Sequence, residues 1–99
     1  MRLSKAQSEK IKQAANELFG HPVEVILFGS RVDDSKRGGD VDIMVRTTMP
    51  VERPALMAAR LGVRLSRLLD GRKVDVVIQA PSLKRQAIHA VAEQTGVRL

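Results

Sequence analysis

Cysteine, tryptophan and tyrosine are absent from this sequence, and phenylalanine occurs only as Phe19 and Phe28. The lack of cysteine excludes disulfides, thiolate metal sites and thiol nucleophiles, and nothing in the chain calls for an oxidising compartment, so the cytosol is the expected location. Two aromatic side chains do not supply the stacking platforms on which single-stranded nucleic acids are held. No run approaches the roughly 18 apolar residues of a membrane span, and Met1 to Lys10 has no apolar signal-peptide core, so neither secretion nor a membrane partner is expected. Also missing are a Gly-x-Ser-x-Gly nucleophile elbow, a Walker loop, and any ligand spacing between His21 and His89.

What is present is basic and foldable. The 99 residues carry 17 Lys+Arg against 11 Asp+Glu, a formal charge of +6, with 43% hydrophobic and 28% charged residues. That composition belongs to a globular protein rather than a disordered one. A chain of this length buries roughly 60–70% of its unfolded surface, enough for one core, so residues 1–99 are expected to form a single domain with no room for a separate acceptor-binding domain. The positive charge is available for phosphates or an acidic partner. Nucleic acid is the less favoured partner, because charge supplies steering without specificity.

The hydrophobic pattern predicts the element order α-β-β-α-β-α, a small mixed sheet flanked by helices. Ile11, Ala14, Ala15, Leu18 and Phe19 form a helical stripe over residues 4–19, between a Ser4 N-cap and a Gly20 C-cap. Val23 to Phe28 is almost continuously apolar, as in a strand covered on both faces. Residues 29–39 are polar and glycine-rich. From Asp40 to Arg46 the chain alternates strictly, predicting a half-buried strand. Pro54 opens a second helix with Met57, Leu61, Leu65, Leu68 and Leu69 inward, closing near Asp70-Gly71, with Gly62 an interior exception. Arg60, Arg64 and Arg67 read as its solvated face, with docking of an acidic partner or a nucleic-acid acceptor as the alternative. Lys73 to Ile78 is a third strand, and Pro81-Ser82 opens a last helix expected to turn Leu83, Ala87, Ile88 and Val91 inward, with Gly96 behind it.

Side chains alternate along a strand, so Asp40 and Asp42 point the same way. Their Cα atoms are roughly 6.5–7 Å apart at ~3.3 Å per residue. Two carboxylates held so close are most easily tolerated with a cation between them, and hard oxygen donors select magnesium or manganese. Asp75 shares a strand face with Lys73 and Val77. It joins the cluster if the third strand lies beside the second, and is otherwise a surface acid paired with Lys73 or Arg72. Upstream, Gly29 lets backbone amides approach a phosphate and Ser30 adds a hydroxyl, while Arg31, Lys36 and Arg37 are either cations for a polyphosphate or the charges of a solvated loop.

A strand, Gly29-Ser30, nine residues, Asp40-x-Asp42 on a strand and a later strand Asp75 together resemble the signature of the polymerase-beta-type nucleotidyltransferase superfamily. Leu27-Phe28-Gly29-Ser30-Arg31 with Gly39-Asp40-Val41-Asp42-Ile43 looks like its minimal prokaryotic branch. That family often has Ser where Gly39 stands and Ala-Arg-Gly where Val32-Asp33-Asp34 stand. The resemblance implies a minimal nucleotidyltransferase fold of α/β (α+β) class. It implies that Ser30 contacts nucleotide phosphates, that Asp40 and Asp42 ligate the metal, and that Asp75 completes the site and helps activate the acceptor hydroxyl. It further implies a magnesium-dependent transfer of NMP, AMP from ATP foremost, to a hydroxyl of a helical HEPN-type partner protein for which the chain is the antitoxin, in a homo- or hetero-oligomer. Having no Tyr, the chain cannot modify a tyrosine of its own. A small-molecule acceptor, a docking antitoxin without activity and a basic nucleic-acid-binding module are the alternatives.

Overall fold

A computed structural model describes residues 3–28, 41–81, 83–84 and 86–99. Gly29, Ser30, Arg31, Lys36, Arg37 and Asp40, named above as site residues, lie outside the described residues, as does Ser82.

Helix α1 (Lys5–Phe19) starts in a capping box in which the Ser4 hydroxyl accepts the Gln7 amide at 3.0 Å and the Gln7 side chain accepts the Ser4 amide at 2.9 Å. Gly20, at φ 79°, ends it in the left-handed region that glycine adopts without strain. Strand β1 (Glu24–Phe28) and strand β2 (Val41–Arg46) pair antiparallel, while helix α2 (Pro54–Leu68) crosses over to strand β3 (Val74–Gln79), which pairs parallel with β2. Helix α3 (Ala87–Thr95) follows, and a two-residue strand β4 (Val97–Arg98) pairs antiparallel with β1, giving the sheet order β3-β2-β1-β4. No helix among the described residues is long and apolar enough to cross a membrane.

Alternation splits the sheet into two faces. Val25, Leu27, Val41, Ile43 and Val45 face Ile11, Ala14 and Ala15 of α1 and Leu61 and Leu65 of α2, forming the main core. Ile26, Phe28 and Met44 face the other way, against Ala92 of α3. The strand β1 is therefore covered on both faces, as its continuous apolar run predicts. Strand β2 is not the half-buried strand that its alternation suggests, because Met44 is fully buried beneath α3.

The last helix corrects the sequence reading. It begins at Ala87 rather than near Pro81, with Gln86 as its N-cap, and the later start rotates the buried stripe to His89 and Ala92. Ala87, Ile88 and Val91, expected inward, are exposed, and Leu83 packs beside Val51, Ile78 and Ala80 ahead of the helix. Strand β4 has no sequence counterpart, since two residues carry no readable period. At Gly96 the chain turns from α3 into β4 so close to β1 that a Cβ would collide with the Ala92 carbonyl and with Ile26.

His89, 3% exposed, is a structural side chain. Its Nδ1 accepts the Gln86 amide at 2.9 Å, which leaves Nε2 protonated to donate to the Ile78 carbonyl at 3.0 Å. At the other end of α3, Arg46 bridges Glu24 of β1 (2.8 Å) and Glu93 (3.2 Å). The hydrogen bond from Arg46 holds the Glu24 carboxyl below the usual carboxylate range, helped by the charges of Arg46 and Arg98 against the opposing effect of burial.

Two outcomes follow. His89→Ala leaves the Ile78 carbonyl and Gln86 amide without partners and a void beneath α3; it should cost about 2–4 kcal/mol in denaturant unfolding. Because the Glu24 pKa is depressed on folding, its stabilisation is complete above the unfolded carboxylate pKa and is lost as pH falls through the folded one. Glu24→Gln should therefore be less stable than wild type at pH 7 by roughly 0.2–1 kcal/mol, the scale of a partly exposed pair, and the two unfolding curves should converge in acid.

Candidate active site

The β2–β3 register sets Asp42 opposite Asp75, and the β1–β2 register sets Phe28 opposite Asp42. Phe28, Asp42 and Asp75 thus form one row across three strands, at about 4.8 Å per strand step. The row lies on the α3 side of the sheet, two residues before Met44 and Val77 on their strands, so it is the next row out from the apolar row that Ala92 covers. Phe28 is buried, whereas the Asp75 side chain is 48% exposed. Two in-register carboxylates therefore stand at the open end of an otherwise apolar face.

Burial explains why they stand there. Val41 and Ile43 on β2, and Val74 and Val76 on β3, are drawn under α1 and α2, which turns Asp42 and Asp75 to the opposite face. The two readings offered for Asp75 are both realised: it lies beside Asp42, and Lys73 Nζ reaches within 4.0 Å of its Oδ1. Asp40 directly precedes Val41 in the chain but lies outside the described residues, as do the loop residues Gly29, Ser30, Arg31, Lys36 and Arg37. Among the described residues, no group of three or more His, Cys, Asp or Glu is arranged to hold a metal. The pair that is described offers hard carboxylate oxygens, which fit magnesium or manganese better than softer metals.

Beside Asp75 lies an open groove of about 540 Å³ between α2 and β3, lined by Ala58, Gly62, Ser66 and Arg67 of the helix and by Lys73 to Val76 of the strand. The sequence reading missed it. Its signal was the spacing of Ala58, Gly62 and Ser66 at i, i+4 and i+8, a row of small residues on one helix face, where Gly62 had stood out only as an exception. A Cβ at Gly62 would lie 3.1 Å from the Val74 carbonyl, so glycine permits the close seat of α2 on β3. Of the three arginines on α2, Arg64 pairs with Glu17 of α1 and Arg67 lines the groove.

The family model described as nucleotidyltransferase domain matches residues 8–95. The chain belongs to that family. Its members' enzyme class, nucleotidyl transfer, is the chemistry for which a carboxylate row at an open sheet end is suited. Solved structures share the fold. A chain from the structure of tri-AMPylated Shewanella oneidensis HEPN toxin in complex with MNT antitoxin is 18% identical, with a TM-score of 0.66 over 97% of this chain and 71% of that one. A second Shewanella oneidensis structure is 14% identical, with a TM-score of 0.67 over 98% of this chain and 71% of that one. A structure of a toxin–antitoxin with AMP-PNP is 19% identical, with a TM-score of 0.65 over 97% of this chain and 72% of that one. No curated protein matches the sequence. The nucleotidyltransferase fold expected from the sequence is thus the one observed, with β4 added.

Like charges facing each other across a strand pair cost up to about 1 kcal/mol. A cation between the two carboxylates offsets that cost, so Asp42→Asn should abolish any rise in melting temperature that magnesium gives the wild type; a thermal-shift series with and without the metal reads it.

Proposed function

We propose that this nucleotidyltransferase moves AMP from ATP to a hydroxyl of a HEPN-type partner protein in the cytosol, as the antitoxin of a toxin–antitoxin pair, with magnesium as its metal. The observation that carries the reading is the placement of Asp42 opposite Asp75 at the open end of the sheet. Supporting it are the nucleotidyltransferase family match and the fold shared with a structure whose HEPN toxin is AMPylated and with one containing AMP-PNP.

Asp42 and Asp75, together with Asp40, would hold the metal, which when bound supplies Lewis acidity towards the α-phosphate and the acceptor hydroxyl. The half-exposed Asp75 stands at the edge strand, where an acceptor hydroxyl can reach it and give up its proton. The hydroxyl oxygen forms a bond to the α-phosphorus, the bond from that phosphorus to the bridging oxygen breaks, and pyrophosphate leaves. In this reading Gly29 and Ser30 approach the phosphates, and Arg31, Lys36 and Arg37 offset the charge of the departing pyrophosphate. The nucleophile belongs to the acceptor, so the protein's share is positioning and charge stabilisation, work that a chain of 99 residues can perform.

Calorimetric titration of ATP and the other NTPs with magnesium into wild type and an Asp40→Asn/Asp42→Asn double variant tests the site. Binding that needs the metal, favours ATP and is lost in the double variant is expected; wild type that binds no nucleotide would sink the reading. In transfer assays with a partner protein, Asp42→Ala should lower the rate by at least about 10³-fold while the fold is retained.

A further inference from the structure

Strand β3 is an edge strand, and its hydrogen bonding shows which of its groups face outward. The carbonyls of Lys73 and Gln79 accept the amides of Val41 and Thr47 at 2.9 and 3.0 Å. In a parallel ladder a residue directs both backbone groups to the same side, in alternation, so the backbone of Lys73, Asp75, Val77 and Gln79 serves β2 and that of Val74, Val76 and Ile78 faces away from the sheet. Two of the three outward carbonyls are covered. Ile78 receives His89, and Val74 lies against Gly62. Between them Val76 directs its N–H and C=O towards the groove with no partner among the described residues.

The groove has the shape and charge for one kind of occupant. The small side chains of Ala58, Ala59, Gly62 and Ser66 leave room along α2, and the neighbouring Val63 is 56% exposed, so the floor and rim are apolar. Arg67 and Lys73 line the groove with Asp75, whose carboxylate lies 4.0 Å from Lys73, so the lining carries one net positive charge, which favours a partner carrying acidic residues. Across the row Asp42 lies between Phe28 on β1 and Asp75 on β3, so the groove borders the row on its Asp75 side.

We propose that this groove receives an extended, acidic segment of the acceptor protein, paired with the outward backbone at Val76 as an added strand, which carries the acceptor hydroxyl to Asp75. The proposal rests on the transferase reading above and adds to it the route and the form of the acceptor. A new strand lies about 4.8 Å outside β3, where main-chain hydrogen bonds give affinity and alternate side chains meet the small-residue floor of α2. The covering of Val74 and Ile78 confines pairing to a short window, which protects the edge from indiscriminate association.

The test uses the full chain, isotopically labelled for NMR, with three synthetic octapeptides: one of alternating valine and glutamate around a central tyrosine, the same peptide with lysine for glutamate, and the acidic peptide N-methylated at alternate amides. The acidic peptide should slow hydrogen exchange at the Val76 amide by about tenfold or more and shift amides of residues 59–67 and 74–76. The lysine and N-methyl peptides should do neither, and Ala59→Glu, a change at an exposed position of α2, should weaken the acidic peptide about tenfold. Absence of protection at Val76, equal protection by the N-methyl peptide, shifts centred on Ile88 and Val91, or the same protection from an oligonucleotide instead would each overturn the proposal. The transferase reading is judged separately by the nucleotide titration, which needs no peptide: nucleotide binding without Val76 protection removes the docking route alone, and failure of nucleotide binding removes the transferase.

Discussion

The parallel register between β2 and β3 is the constraint on which the rest of this molecule depends. It is set by burial: Val41, Ile43 and Val45 on one strand and Val74 and Val76 on the other seek cover under Leu61 and Leu65. Each such side chain gains about 1.5–3 kcal/mol when removed from water, against up to about 1 kcal/mol for opposing two like charges. The core therefore wins, and the acidic row is its by-product. A slip of one residue would turn Asp75 into the main core and Val74 and Val76 out of it, which keeps the register singular.

Helix α2 makes that pairing possible, since parallel neighbours need a crossover between them. It also has to sit close to the strand it introduces, and Gly62 sets that approach. One helix thus joins the two acid-bearing strands, seals their shared core face and forms a wall of the groove beside Asp75. The row of small residues costs the helix some intrinsic propensity at Gly62 and gains proximity and space.

Legibility in the sequence followed length and period. The helices α1 and α2 and the three longer strands could be read within a residue or so, because each repeats its pattern for five residues or more and each of the two helices carries a cap or a proline at its end. Asp42 and Asp75 could be placed on strand faces from alternation, but their meeting could not, since strand order is a long-range property. Met44 and His89 were misjudged for one reason: α3 covers the face of β2 that carries charges at both ends, and a helix laid across a sheet by tertiary packing leaves no period in the strand beneath it. The exposed Ile88 and Val91 drew the stripe of α3 to the wrong side, whereas His89, left out of that stripe, holds the buried position. The groove left only the Ala58, Gly62, Ser66 spacing, which looks like an ordinary weak stretch of helix until the strand beside it is known.

Helix α3 runs from one border of the sheet to the other. Near its start His89 holds the Ile78 carbonyl of β3, in its middle Ala92 covers Met44, and beyond its end β4 closes the border at β1, where the Leu99 amide donates to Val25 at 2.9 Å. These attachments are made by a single nine-residue helix and the strand that follows it. An excursion that lifts this segment bares both borders of the sheet and its apolar underside together, so its opening invites aggregation.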